Sequence, residues 1–220
     1  AMGGIVAKFA GNAYIHNCLN QGRVYLNETE CKDVRMGGIS GNAGHAQLIE
    51  NRALVTYEDC RNTGNIFHKA PNSLVKAHVG GIYGSSTGVA ITVKNCVNKV
   101  ALSQGIRISS NPADSTMTRC MGGICGYTYY PDSLVGCKHY GEVSRAGNHI
   151  ARCGGFFGSN GGQSTKIFIG KDCRIGGKVR GTDIKTTNAR DYFGYDSWAK
   201  ISSKIDTELT SANALWNGNE

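Results

Sequence analysis

The chain has 220 residues, of which 40% are apolar, 31 are glycine and only 3 are proline, a composition typical of a folded protein with many tight turns. No stretch approaches the ~18 uninterrupted apolar residues of a membrane-spanning helix, so we expect no membrane insertion by this chain. The net charge of +8 favours acidic partners in principle, but the lysines and arginines are scattered and never occur three in a row. We therefore predict a solvated, slightly basic surface and no nucleic-acid binding.

A phrase of two glycines and an apolar residue occurs five times along the chain. Its copies are Met2-Gly3-Gly4-Ile5, Met36-Gly37-Gly38-Ile39, Val79-Gly80-Gly81-Ile82, Met121-Gly122-Gly123-Ile124 and Cys153-Gly154-Gly155-Phe156. A second phrase, centred on a cysteine, follows each copy, and its cysteines are Cys18, Cys60, Cys96, Cys137 and Cys173. These cysteines are 42, 36, 41 and 36 residues apart. Repeats of this length indicate an architecture of stacked or radial units.

A partial sixth copy follows the fifth. Tyr192-Phe193-Gly194 aligns with Phe156-Phe157-Gly158, and the pattern ends after Ser197. We therefore divide the chain into a repeat domain, residues 1–196, and a C-terminal tail, residues 197–220. Because the chain opens in the middle of a repeat with no capping element, we expect it to be a segment of a longer protein, with further domains of the same parent chain beside it.

Each repeat contains about three short apolar runs, such as YIHN, LVTYED and AITVKN, bounded by Gly, Asn, Ser and Thr. Such runs are typical of strands and turns, and no sustained helical periodicity occurs before residue 197, so we predict an all-β fold. A propeller blade and a solenoid coil both match the repeat length. The extra residues of the longer repeats fall between unchanged phrases. This favours a solenoid, namely a single-stranded parallel β-helix, right-handed, of about five and a half coils.

Stacked coils place equivalent side chains in rows about 4.8 Å apart. The predicted inward row is Ile5, Ile39, Ile82, Ile124 and Phe156. The row of Cys18, Cys60, Cys96, Cys137 and Cys173 is predicted to consist of buried, reduced thiols, because side chains in a row point the same way whereas a disulfide needs a dihedral near ~90°. We expect Asn20, Asn62 and Asn98 to stack amide on amide at a bend.

The tail has Ile201, Ile205 and Leu209 at the four-residue spacing of a helix. An open solenoid end exposes core and unpaired strand edges. We therefore predict that the tail packs over or beside the last coil, whether or not it is helical. The alternative is a linker toward a further domain.

The alternation of G-G-[I/V]-x-G with N-C-x-N-x-G-x-V resembles the GLUG-type repeat over residues 2 to about 194. The resemblance implies a β-solenoid without catalytic function in a large secreted or surface-attached bacterial protein, such as an adhesin-like protein or a metallopeptidase that cleaves immunoglobulin A. Three copies depart from the pattern. Ala7 replaces the last glycine of the first phrase, NKVAL lacks its glycine, and CRIGG lacks its asparagine.

A polysaccharide lyase or hydrolase is the weakest alternative, since such enzymes cluster carboxylates on one face of a β-helix. The candidate carboxylates Glu58, Asp59 and Asp172 precede a row cysteine, where other repeats have asparagine, and there they are expected to serve a turn. The histidines share no repeat position, and the cysteines recur once per repeat. We therefore expect no metal site, no cofactor and no enzymatic activity.

A binding surface is the stronger alternative to a purely structural role. The segments GYTYYPD and KHY supply the aromatic and polar side chains of a candidate glycan contact: Tyr127, Tyr129, Tyr130, Lys138, His139 and Tyr140. The simpler interpretation is that one or two of these tyrosines pack back on the coil. The sequence thus favours a rigid stalk or adhesin-like segment, secreted or at the bacterial cell surface. Its alternative is a module whose inserted loops bind a host or microbial glycan or surface protein.

Overall fold

A computed structural model describes residues 1–27, 31–44, 53–69, 76–109, 118–129, 132–146, 152–160, 167–184, 194, 205–207 and 214–219. These residues form strands and turns and no helix, so the predicted all-β class is confirmed for them. This part of the chain accordingly has no helix long and apolar enough to cross a bilayer.

Most repeats contribute five short strands. The first repeat has β1 (Met2–Gly3), β2 (Val6–Phe9), β3 (Ala13–His16), β4 (Leu19–Asn20) and β5 (Val24–Asn27). The second has β6 (Asp33–Gly37), β7 (Ser40–Ala43), β8 (Ala53–Glu58), β9 (Arg61–Asn62) and β10 (Ile66–Lys69). The third has β11 (Lys76–Gly80), β12 (Tyr83–Ser86), β13 (Val89–Lys94), β14 (Val97–Lys99) and β15 (Ile106–Ser109).

The later repeats follow the same order with two changes. The fourth has β16 (Thr118–Gly122), β17 (Cys125–Thr128), β18 (Asp132–Val135) and one long strand, β19 (Lys138–Ala146), in place of two. The fifth has β20 (Arg152–Gly154), β21 (Phe157–Asn160), β22 (Ile167–Ile169), β23 (Arg174–Val179) and β24 (Thr182–Asp183). The tail adds β25 (Ile205–Thr207).

Equivalent strands of successive repeats pair side by side and form four sheets. Sheet 1 is β1-β6-β11-β16-β20, sheet 2 is β2-β7-β12-β17-β21, and sheet 3 is β3-β8-β13-β18-β22-β25. Sheet 4 holds the remaining nine strands, in which β19 joins the row of β4, β9 and β14 to the row of β5, β10 and β15. All strand pairings in the described chain are parallel except the hairpin β23–β24. These parallel sheets are compatible with a parallel β-helix.

The register of the sheets matches the phase of the sequence repeat. Along sheet 1 the aligned residues are Gly3, Gly37, Gly80, Gly122 and Gly154. Within a strand, side chains alternate between the interior and the surface, as in β13, where Val89, Ile91 and Val93 are buried. The interior side chains of all repeats form one hydrophobic cluster.

The structure corrects one prediction from the sequence, the interior position of Ile5. Backbone hydrogen bonds of 2.9–3.1 Å run from the N–H of each row member to the carbonyl of the next, and the row is Ile5, Ile39, Ile82, Ile124 and Phe156. The last four side chains are fully buried, whereas Ile5 is 47% exposed. The expectation that Ile5 lies in the interior is therefore wrong, because no other repeat of this chain lies on its outer side.

The second glycine of each phrase makes room for a side chain from sheet 4. A Cβ on Gly81 would lie 2.0 Å from the carbonyl oxygen of Gly123 and 2.3 Å from Cγ of Asn98. Equivalent overlaps occur at Gly4 with Asn20, at Gly38 with Asn62 and at Gly123 with His139. Distances this short exclude any larger residue unless the backbone moves.

A left-handed turn precedes the row cysteine in four repeats. Asn17, Asp59, Asn95 and Gly136 have φ between 50° and 64°. Asn, Asp and Gly are the residues that adopt this conformation at least cost. The sequence pattern at this position therefore serves a turn, and Asp59 is part of it.

The tail adds strands to the fifth repeat. β25 pairs in parallel with β22, and Leu215 forms a parallel bridge with Ile175. The helical spacing of Ile201, Ile205 and Leu209 therefore predicts the wrong conformation at Ile205, which lies in β25; the other two lie outside the described residues. The unpaired edge of β22 offers backbone partners that an isolated helical turn would not use.

We predict that Gly81→Ala lowers the free energy of unfolding by about 1 to 3 kcal/mol, because its Cβ meets backbone and the Asn98 side chain. Gly22→Ala is the matched control, since its Cβ would lie no closer than 3.5 Å to any atom, and it should change stability by less than about 0.5 kcal/mol. Urea unfolding followed by circular dichroism measures both values. Equal effects of the two substitutions would contradict the packing role of the repeated glycine.

Candidate functional site

The row cysteines directly precede adjacent strands of sheet 4. The amides of Arg61, Val97, Lys138 and Arg174 donate to the carbonyls of Cys18, Cys60, Cys96 and Cys137 at 2.7–2.9 Å. Cys60, Cys96, Cys137 and Cys173 are buried, whereas Cys18, at the first repeat, is partly exposed. All nine cysteines of the chain are free thiols. The four inner thiols thus occupy the interior as small apolar side chains.

Burial disfavours the thiolate form of these cysteines. It raises the pKa of Cys137 well above its ordinary value. The thiol hydrogen bond to Cys60, together with burial, raises the pKa of Cys96. The hydrogen bond with Cys96 lowers the pKa of Cys60 to about 7, and the hydrogen bond with Cys137 lowers the pKa of Cys173. Since the thiolate is the reactive form, Cys96 and Cys137 are unreactive at neutral pH, whereas burial limits the access of reagents to Cys60 and Cys173.

A second interior row consists of amide side chains. Asn20 Nδ2 donates to Asn62 Oδ1 at 2.7 Å, and Asn62 Nδ2 donates to Asn98 Oδ1 at 2.7 Å. Asn98 Nδ2 lies 2.9 Å from Nδ1 of His139, which occupies the same position in the fourth repeat. All four side chains are buried, and each hydrogen bond links one repeat to the next. The row is a continuous polar connection through the interior.

His139 is therefore an interior residue. It is fully buried, and burial lowers its pKa to about 3, so its ring is neutral at pH 7. A surface glycan does not reach it, and its predicted role in a glycan contact is wrong. The sequence contains an indication of this interior position, because His139 follows its row cysteine by two residues, as Asn98 does.

The other predicted contact residues fall into two groups with different neighbours. Tyr127 is nearly buried, and its ring stacks on His78 at 4.4 Å and meets the edge of Tyr129 at 4.7 Å. Tyr129 is 38% exposed, and Tyr130 lies outside the described residues. Nothing in the sequence pattern indicates that His78 lies beside Tyr127.

The second group packs against the tail. The Lys138 ammonium lies 5.5 Å above the ring of Trp216, and the ring of Tyr140 is 6.0 Å from that of Trp216. No ring contact or hydrogen bond in the described part of the chain joins this group to Tyr127 and Tyr129. The six predicted residues thus do not form one surface, and Tyr129 is their one exposed aromatic ring among those described.

A polar cluster lies deep in the core. The hydroxyl of Tyr83 donates to Oδ2 of Asp132 at 2.5 Å, and the amide of Ile91 donates to Oδ1 at 3.2 Å. The ring of Tyr57 stacks on that of Tyr83 at 5.5 Å, and its hydroxyl bonds with Ser40. Burial raises the pKa of Asp132 to about 7. Sequence reasoning missed this cluster because its members come from three repeats and equivalent positions carry different residues: Tyr83 pairs in register with Ser40, and Ile91 with Asp132.

The carboxylates considered for catalysis lie apart from this cluster. Glu58 accepts a hydrogen bond of 2.6 Å from the Tyr14 hydroxyl, and Asp59 and Asp172 are exposed in turns. Among the described residues, no group of three His, Cys, Asp or Glu side chains is arranged to hold a metal ion. A cleft of about 150 Å³ beside Met2 and Cys31 is smaller than the ~300 to 1,000 Å³ of typical ligand pockets.

Comparisons with family models, with curated proteins and with solved structures found no match to this chain. The similarity to GLUG-type repeats therefore rests on the residues of the sequence.

We predict that Asp132 makes stability fall as pH rises from about 4 to 7. The carboxyl titrates near 7 in the folded chain and near ~3.9 when unfolded, so between these values the folded state binds more protons. Relative to Asp132→Asn, the native chain should lose up to about 1.4 kcal/mol per pH unit. Unfolding by urea at several pH values measures this difference. Burial lowers the pKa values of His78 and His139, so their contribution to stability rises with pH. This contribution is the same in the native chain and in the Asp132→Asn variant. Parallel pH profiles would refute the assignment.

We predict nine titratable thiols in denaturant without reductant. In the native state Cys31, which is exposed, should react at once and Cys18 more slowly, while the buried thiols react on the timescale of unfolding. Maleimide labelling followed by peptide mass spectrometry identifies each site. Fewer than nine thiols in denaturant would require a disulfide, and rapid native labelling of Cys96 would contradict its burial.

Proposed function

We propose that this chain is a segment of a right-handed parallel β-solenoid of the GLUG-repeat type and works as a rigid spacer or adhesin-like segment. The observation that supports the proposal most is the unbroken row of backbone hydrogen bonds from Ile5 to Phe156. In a solenoid each coil contacts only its neighbours, so length follows the number of repeats. The parent would be a secreted or cell-surface bacterial protein with further domains.

A coil number of about five and a half is supported by contacts beyond the fifth repeat. The Gly194 amide donates to the carbonyl of Phe157 at 3.0 Å, and β25 and Leu215 add to sheets 3 and 4. On this proposal residues 194 to 219 supply the described strands of an incomplete sixth coil. Because coils rise by about 4.8 Å, the stack is some 25 to 30 Å long.

The proposal assigns the chain no catalytic activity and no cofactor. A module that binds glycans or host proteins through inserted loops remains the alternative. Its support is weaker, since His139 is buried and Tyr127 packs on His78.

The spacer proposal is tested by changing the number of repeats. Chains with one or two additional copies of residues 76–117 should stay folded, and their longest dimension, measured by small-angle X-ray scattering, should grow by about 4.8 Å per copy. A chain that duplicates only residues 76–95, which adds half a repeat, is the control and should lose cooperative unfolding. A dimension that does not grow with each complete copy would contradict a spacer function.

A further inference from the structure

Sheet 4 gathers onto one surface the basic residues that are scattered in the sequence. Its outward positions alternate with buried ones, such as Asn62, Asn98 and Ile175. The basic residues at these outward positions are Arg61, Lys69, Lys99, Arg107, Lys138, Arg174 and Lys178, and Arg23 and Arg180 directly flank the strands. We call this surface the basic face.

Acidic residues on the basic face are few. Glu142 and Asp183 are the two acidic residues at its described outward positions, and both pair in register with Lys178. Asp59 and Asp172 lie in the turns that lead into the sheet. Seven cations against two anions on its strands leave an excess of five positive charges on this sheet, and the flanking Arg23 and Arg180 are balanced by Asp59 and Asp172.

Two cations of the basic face lie directly opposite each other. Lys138 and Arg174 are register partners on neighbouring strands, which are about 4.8 Å apart. Like charges placed directly opposite in a sheet are unfavourable. An anionic ligand would relieve the repulsion that the fold imposes.

We propose that the basic face binds an acidic polysaccharide, one that bears regularly spaced sulfate or carboxylate groups. This inference goes beyond the spacer function, which would stand if the inference failed. The outward positions form rows about 4.8 Å apart across the strands and about 7 Å apart along them. The described face thus carries cations on several strands, separated by uncharged register partners such as Val97 and Ser109, which suits a polymer whose charges are spaced along its chain.

Single-stranded nucleic acid fits this face less well. Proteins that bind it combine a basic groove with aromatic rings on which bases stack. Here Tyr25 and Phe67 stack on each other at 5.4 Å, with the Arg23 guanidinium 5.1 Å from the Tyr25 ring. Tyr140 packs against Trp216. The rings on this face are thus engaged with each other or with the tail, whereas sulfate and carboxylate groups need only the cations.

Binding of a fluorescently labelled heparin octasaccharide to the 220-residue chain tests the proposal. The face variant is Lys69→Gln/Lys99→Gln/Lys138→Gln. The control is Lys32→Gln/Lys76→Gln/Lys94→Gln, which removes the same charge from exposed positions on or beside sheets 1 and 3. Thermal unfolding checks that both variants fold. A neutral dextran octasaccharide and a thymidine oligonucleotide of equal charge serve as ligand controls.

The native chain should bind the sulfated sugar and not the dextran, and its affinity should fall with added salt. The face variant should bind about tenfold more weakly and the control less than about twofold more weakly, as expected for the loss of three partly exposed ion pairs. Equal weakening in both variants, or no binding by the native chain at low salt, would overturn the proposal. Tighter binding of the oligonucleotide than of the sulfated sugar would overturn it in favour of a nucleic-acid ligand.

Discussion

The close packing of a side chain from sheet 4 over a glycine of the repeated phrase is the contact on which the rest of the structure depends. Asn98 lies where a Cβ of Gly81 would be, and the same contact recurs at Asn20, Asn62 and His139. It holds the bend after sheet 1 against sheet 4 within each repeat. The amide that fills this space also bonds to the next repeat. The side chain in this space thus determines both the conformation of a repeat and its register with the next. If one partner in the buried row is lost, a buried polar group is left without a hydrogen bond, and this lowers the stability of the fold.

The register then determines which side chains meet. Because every repeat presents the same phrase at the same height, several interior positions become rows of the same chemistry: aliphatic at Ile39, Ile82 and Ile124, thiol at Cys60 and Cys96. Outward positions carry no such constraint, so they vary from repeat to repeat. Seven basic residues lie at outward positions of sheet 4, without any run of basic residues in the sequence.

The sequence predicts the interior well because packing imposes the repeat. The all-β class, the parallel pairing and the left-handed turns at Asn17, Asp59 and Asn95 follow from glycine, asparagine and cysteine at a fixed phase. The basic face could not be predicted in the same way, since it depends on the alternation of side chains within strands about 36 to 42 residues apart. The order of charged residues along the sequence does not show which of them lie on neighbouring strands of a sheet. The prediction that His139 lies at the surface gives more weight to its aromatic and basic neighbours in the sequence than to its position two residues after the row cysteine.

The central claim is that each repeat stacks in parallel register on the next. It is tested most directly by nuclear Overhauser contacts in a sample with labelled isoleucine methyl groups. The structure predicts cross-peaks between Ile39 and Ile82 and between Ile82 and Ile124, whose backbones are joined by hydrogen bonds, and none between Ile39 and Ile124, which lie two strands apart. Contacts between Ile39 and Ile124, or the absence of contacts between consecutive repeats, would contradict the stacking.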